Sequence, residues 1–337
     1  MSLSCESVVR RRTSLSAKIF ILVALLLGAG AALPAWNYLI EWHAQHRLWC
    51  LLALLVAGVL VAAGVGFRFG SWARGALLLG SALCAARIGA PFLLFLPGES
   101  APVPATNSER LTFLSVALES PADAAALRPL IAAAPDLIAV RGGATGAFLD
   151  SLGTVAPPYQ SVVVGEDMAL IGRLPVLGEP RLALGADASP GLVAEMRFPD
   201  GRLGLVAVLA LPRLQSHATY VANRRALRRV ATLARHASGP VIVAGDLGLP
   251  TNTPLFTLFT DGASLNDVAW GRGGRLPGDP LPLHRLLAHD HILVGGMVVD
   301  TITAAPWQGR GAAPLNASLS LVDGALTAPK SSGVALP

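Results

Sequence analysis

VIVAGDLGLPTNTP, residues 241–254, decides how the rest of the chain is read. The run Val241 to Gly245 carries no polar side chain, which fits a strand covered on both faces, and it hands over Asp246. Gly248, Pro250 and Pro254 then punctuate a turn. A carboxylate at such a strand-to-loop junction either ligates something or caps the turn by accepting backbone N–H bonds, and capping is the reading adopted for Asp246.

Outward from this strand, apolar and amphipathic stretches alternate. A helix from about 218 to 236 precedes it, and before that GLVAEMRF and RLGLVAVLAL form a hairpin turning at Pro199-Asp200-Gly201. LTFLSVAL (Leu111 to Leu118), DLIAVR, YQSVVVG and MALIGR read as strands, with a single helix from Ala122 to Ala134 ended by Pro135. After Asp246 come a short helix near 254–259, the strand HILVG, and a last strand ASLSLV. Hairpins mixed with single helices imply two packed mixed sheets flanked by helices, a four-layer α/β sandwich, and not one doubly wound parallel sheet.

The first hundred residues differ in kind. The chain is 53% hydrophobic and only 14% charged, too apolar for an ordinary soluble protein. Ile19 to Ile40, Leu48 to Phe67 and Ala73 to Leu96 are each near the roughly 20 residues that cross a bilayer. Arg10, Arg11, Arg12 and Lys18 precede the first run, and Arg68 and Arg74 lie between the second and third, which places the N-terminus and that loop in the cytoplasm. In a bacterium, which the Ala/Leu/Gly/Arg-rich composition suggests, everything after the third run is then periplasmic. The expected organisation is a cytoplasmic segment 1–18, three transmembrane helices within 19–97, a Pro/Ser-rich linker 98–110, an exported domain 111–322 and a tail 323–337.

Cys5, Cys50 and Cys84 all precede the exported domain, which therefore rests on an ordinary core without disulfides. The net charge of +5 comes partly from arginines flanking the apolar runs and points to no nucleic-acid partner. In the third run Arg87 needs either to snorkel or to meet a partner. On the long helix, Arg224, Arg225, Arg228 and Arg229 recur at spacings that gather charge on one side, a solvated face or a surface for an acidic protein or anionic headgroups. In HDHI, alternation puts His289 and His291 on one face and Asp290 on the other, and a two-His metal site there lacks a third ligand.

VIVAGD after a long helix, with DHILVG about forty residues later, resembles the endonuclease/exonuclease/phosphatase superfamily, and the three apolar runs resemble its membrane-anchored bacterial branch. The resemblance implies a site where strand ends of both sheets converge, with a divalent metal on carboxylates, an Asp–His dyad, and amide or imidazole donors around a phosphate. The residues that would supply this chemistry are mostly missing. Ala117 stands where the first strand would end in Asn, Arg141 and Gly142 where Gln-Glu would hold the metal, and Leu209 where a His would contact phosphate. Asp246 remains, but Gly248 replaces the Asn of Gly-Asp-Phe-Asn. Asp290 and His291 match a late Asp-His pair, while Gly311 and Ala312 fall where the Ser-Asp-His dyad would be. Ala, Gly and Leu neither ligate a metal nor move a proton. Glu119, Asp123 and Glu166 are the candidates for a migrated ligand.

These expectations add up to a pseudoenzyme without metal or cofactor. The expected function is that of an accessory or scaffold subunit in the inner membrane, bound to other integral membrane or periplasmic subunits of, for example, a respiratory or photosynthetic complex. Arg87, Arg224, Arg225, Arg228 and Arg229 are its expected partner contacts. The competing expectation is a divalent-metal-dependent phosphodiesterase or phosphatase acting on a lipid or nucleotide phosphoester through Asp246 and Asp290.

Overall fold

A computed structural model describes residues 109–152, 159, 161–165, 167–183, 190–251, 253–268, 289–304 and 313–321, with isolated helical positions between 23 and 82. The three apolar runs, Arg87, Glu166, Gly311 and Ala312 lie outside the described residues, apart from those isolated positions. Among the described residues no helix is long and apolar enough to cross a membrane. The chain divides into two units, Met1–Leu96 with Asn252–Pro254, and Pro97–Thr251 with Leu255–Pro337.

The second unit holds two six-stranded sheets. In the first, the order is β11 (Met297–Ala304), β12 (Leu315–Leu321), β1 (Arg110–Ala117), β2 (Leu137–Arg141), β4 (Met168–Gly172) and β3 (Ser161–Val164). In the second it is β5 (Val176–Ala183), β6 (Pro190–Arg197), β7 (Leu203–Ala210), β8 (Val241–Asp246), β10 (Asp290–Gly295) and β9 (Asn266–Asp267). Each sheet contains one parallel pair, β1 with β2 and β7 with β8, and its other described pairings are antiparallel. Both sheets are therefore mixed, as the hairpins and single helices imply.

Strand alternation assigns the faces. Leu111, Phe113, Leu137 and Ala139 of the first sheet meet Leu192, Val206, Val208, Ile242, Ala244, Ile292 and Val294 of the second in one core. Residues of opposite parity in the first sheet, Leu114, Val116, Ile138, Val140, Ala169 and Ile171, pack outward against Leu127, Ile131 and Phe148. The second sheet is covered by α4 (His217–His236), which buries Tyr220, Asn223, Ala226, Leu227, Val230, Ala231 and Ala234, and by α5 (Pro254–Ala263). Truncating Phe113, 0% exposed between the sheets, to Ala carries the usual cost of about 3–5 kcal/mol for a core aromatic.

Three features differ from the sequence reading. The helix expected over 122–134 is two, α1 (Pro121–Ala126) and α2 (Arg128–Ala132), because Pro129 lacks the N–H that would continue the ladder. A helix α3 (Thr145–Leu152) follows β2 where none was expected. Strands β5, β9 and β11 were also not expected. β9 is only two residues long, and β5 and β11 are edge strands with register shifts, those of β5 accompanying Gly178 and Pro180, so none shows clean alternation.

Candidate functional site

The parallel pairs end side by side at one rim of the sandwich. Ala117 pairs with Arg141 across β1 and β2, Ala210 with Asp246 across β7 and β8, and Asp290 lies opposite Asp246 across β8 and β10. Parity decides which of these side chains enter the space between the sheets. Arg141 continues the Leu137 and Ala139 row, Asp246 the Ile242 and Ala244 row, and Asp290 the Ile292 and Val294 row, all on the inter-sheet face. Ala117 shares that face with Phe113.

Arg141 crosses from the first sheet to the second. Its guanidinium meets Asp290 Oδ1, and both side chains are largely buried. Burial pushes the Arg141 pKa down while the fields of Asp246 and Glu119 push it back up, and a guanidinium keeps its charge under such opposed influences. Asp246 is engaged separately: its Oδ1 accepts from the Gly248 N–H at 2.8 Å, the turn cap read from the sequence. Beside it, His289 is held below its ordinary pKa chiefly by burial, with Arg213 and His291 acting the same way. The Asp246 charge and a hydrogen bond with the Gly248 backbone oppose that. Arg141 Nε and His289 Nδ1 are buried without hydrogen-bond partners.

Gly142 and Gly248 are shaped by the backbone. Gly142 has φ +110° and a Cβ there would stand 2.2 Å from the Leu118 carbonyl oxygen, so no Glu side chain fits at that position without moving the chain. Gly248 has φ +64° with the Pro212 carbonyl oxygen 2.5 Å from where its Cβ would be. A side chain at 248 is thus opposed by both the backbone conformation and the space around it.

Leu209 requires a correction. It is fully buried, but its parity sets it on the helix-covered face of the second sheet, away from the cleft, and Ala210 is the β7 residue packed toward the inter-sheet core. The two-His metal site set aside in the sequence reading also finds no free ring nitrogen at His291. His291 points to the helix side, with Nδ1 2.9 Å from Asp267 Oδ2 and Nε2 2.8 Å from the Leu249 carbonyl, so both ring nitrogens are taken. Of the candidate migrated ligands, Asp123 is fully buried and its Oδ2 accepts from the Glu119 and Ser120 N–H groups at 2.9 and 2.8 Å as a helix cap. Glu119 remains exposed near Arg141.

Sequence reasoning missed two participants. Arg141 was legible as a replacement but not as the group that spans the cleft, although its parity with Leu137 and Ala139 would have aimed it inward. Asp267, in a two-residue strand, carries no pattern that would have found it.

Among the described residues no three His, Cys, Asp or Glu side chains are grouped to hold a metal ion. Asp290 already faces a guanidinium, Asp246 is bonded into its own turn, and a third inward carboxylate is absent among the described strand ends. This donor set does not fit a resident divalent ion. A separate cavity of about 210 Å³, lined in part by Leu177, Glu179, Arg181, Glu195 and Leu233, lies along β5 and β6 and contains none of these groups.

No protein-family model matches the chain, and no curated protein matches its sequence. Solved structures do match its fold. The human Nocturnin catalytic domain with bound sulfate is 13% identical, covers 68% of this chain and 99% of its own, and has a TM-score of 0.51. Humanized D. rerio TDP2 carrying 14 mutations is 16% identical over 62% of this chain and 98% of its own, with a TM-score of 0.48. An endonuclease/exonuclease/phosphatase from Beutenbergia cavernae is 15% identical over 63% of this chain and 72% of its own, at 0.46. The chain has the two-sheet α/β sandwich fold of endonuclease/exonuclease/phosphatase-family proteins.

Proposed function

We propose that this chain is a non-catalytic, membrane-anchored accessory subunit that stabilises a larger assembly in a bacterial inner membrane, with a cytoplasmic N-terminus and a periplasmic sandwich domain. One observation carries the non-catalytic half: the cleft end of the sandwich is bridged by Arg141 and Asp290, where the resemblance would place a metal between carboxylates. A guanidinium supplies charge but no exchangeable coordination position, so it neither activates a water nor gathers phosphoryl oxygens with it around one ion. Of the other inward strand ends, Ala117 and Ala210 contribute no donor, and Asp246 Oδ1 accepts from the Gly248 N–H.

The membrane half draws support from the isolated helical positions of the first unit. Leu52, Val56 and Val59 follow helical spacing and are 45%, 50% and 68% exposed, as expected of side chains that meet lipid or a neighbouring helix. Arg87 and the α4 arginines are the proposed partner contacts.

A phosphodiesterase or phosphatase is the competing reading, and the Nocturnin domain that shares the fold is described as catalytic. Two experiments decide. Purification of the tagged chain in mild detergent should recover a stoichiometric membrane complex, and recovery of the lone chain would count against a scaffold. Incubation with a chromogenic phosphodiester and Mn²⁺ should give no turnover beyond buffer. Turnover abolished by Asp246→Ala would establish the phosphoesterase instead.

A further inference from the structure

We infer that the Arg141 guanidinium is a resident cation: reaching over from the first sheet, it stands in for a divalent ion beside the carboxylates that end two adjacent strands of the second, and makes the closure of this rim independent of metal. The inference rests on the non-catalytic reading above and extends it to what the cleft does instead. Three observations carry it.

First, the pairing crosses the sandwich. Arg141 ends β2 in one sheet and Asp290 begins β10 in the other, so the contact ties the two sheets together at the rim of their apolar core. Second, more than one carboxylate surrounds it. Asp246 lies opposite Asp290 in the antiparallel register, both face the inter-sheet space, and Asp246 and Glu119 are the charges that favour the guanidinium. Two like charges on adjacent strands repel unless a cation lies between them, and at a largely buried site that repulsion is only weakly screened. Third, the neighbouring position cannot supply a ligand. Gly142 cannot carry a side chain beside the Leu118 carbonyl, and Arg141, one residue earlier, has the inward parity.

Removing the guanidinium should therefore expose what it replaces. Asp246 and Asp290 would face each other without the guanidinium, and two carboxylates completed by waters suffice for a weak Mg²⁺ or Mn²⁺ site. The native chain holds that site shut with its own side chain.

The test uses the full chain in detergent with Mn²⁺ as the probe. Binding is read by loss of the free-ion electron paramagnetic resonance signal and stability by the apparent Tm. Wild type should take up no Mn²⁺ and show the same Tm in EDTA and in Mn²⁺. Arg141→Gln should lower the Tm in EDTA by several degrees, bind about one Mn²⁺ per chain, and recover Tm as the ion is added. The double variant Arg141→Gln, Asp290→Asn should lose the binding. Arg141→Lys, which keeps the charge, should remain as indifferent to Mn²⁺ as wild type, and it decides the matter if the Gln variant does not fold: a Mn²⁺-dependent Tm in the Lys variant overturns the inference. So does Mn²⁺ uptake by wild type, or a folded Gln variant whose Tm is unchanged or that binds no Mn²⁺. Phosphoester turnover by wild type without Mn²⁺ uptake would strike the functional reading alone, and uptake without turnover would strike this inference alone.

Discussion

His291 Nδ1 lies 2.9 Å from Asp267 Oδ2, with the two side chains 2% and 4% exposed. His291 Nε2 reaches the Leu249 carbonyl at 2.8 Å, and the ring packs on Phe256 at a centroid distance of 4.7 Å. The imidazole thereby joins β10, β9 and the loop after β8, and it is occupied as structure with no nitrogen left for a metal or a proton transfer. His291→Leu should destabilise the domain by about 3–5 kcal/mol, because it leaves the Asp267 carboxylate buried without this partner. Asp267→Asn in the same background should recover part of the loss. Chemical denaturation of the single and double variants measures both, and an unchanged midpoint for His291→Leu would remove the structural role.

Backbone geometry opposes any side chain at Gly248, beside Asp246. With φ +64° and the Pro212 carbonyl oxygen and Asn223 Nδ2 at 2.5 and 3.0 Å from a would-be Cβ, Gly248→Asn should not rebuild a phosphate-binding amide. It should cost about 1–3 kcal/mol, because strain and crowding act together even though Asn tolerates positive φ better than most residues. Thermal denaturation of the variant is the check, and a variant as stable as wild type would mean that the loop relaxes freely.

Much of the sandwich was legible because buried strands of consistent parity announce themselves. β7 and β8 are unbroken apolar runs, and the β6–β7 hairpin is marked by Pro199-Asp200-Gly201, where Gly201 has φ +82°. What escaped was local irregularity. The bulged edges β5 and β11 lose alternation, and α2 follows α1 too closely for the break at Pro129 to register as more than a flaw in one helix. At the site, the identities of the changed residues were plain from the chain, but their directions were not. A one-residue difference in strand parity separates Leu209, under the helices, from Ala210, at the cleft. Arg141 reaching Asp290 is a contact between two sheets about 150 residues apart in sequence, and no spacing rule predicts it.

That parity makes a prediction of its own. Leu209→His should fail to place an imidazole in the cleft and should instead bury a polar ring under the helices, costing roughly 2–4 kcal/mol. Ala210→His directs its ring inward and, on this half-buried rim position, should cost less. Comparing the denaturation midpoints of the two variants tests the assignment, and equal losses would contradict it.

His289 sets the acid limit of this rim. Burial chiefly, then Arg213 and His291, hold its pKa below the ordinary histidine value, so the unfolded chain takes up this proton at a higher pH than the folded one. Its contribution to stability is therefore present above the normal histidine range and is lost as pH falls through the lowered folded value. His289→Gln should flatten the decline in Tm between neutral and mildly acidic pH without changing the Tm at alkaline pH by the same amount. Parallel Tm profiles for the two proteins would show that His289 does not contribute to this dependence.

The outer face of α4 offers the most direct test of a partner. At about 100° per residue, Arg224, Arg225, Arg228, Arg229 and Arg235 fall within an arc of about 140°, opposite the seven buried residues of the same helix. The helix contains no Asp or Glu, and Arg225, Arg228, Arg229 and Arg235 are exposed. Such a face repels itself and gains by meeting an acidic surface, with a strength that falls as salt shortens the reach of each charge to less than about 10 Å. Arg225→Glu, Arg228→Glu and Arg229→Glu together should leave folding nearly unchanged, since exposed substitutions cost about 0.5 kcal/mol or less each. The same triple variant should release the partner subunits during purification at low salt, and high salt should produce the same release from wild type. If the triple variant and wild type bring down the same complex at every salt concentration, α4 presents only a solvated face and the partner contacts lie elsewhere on the chain.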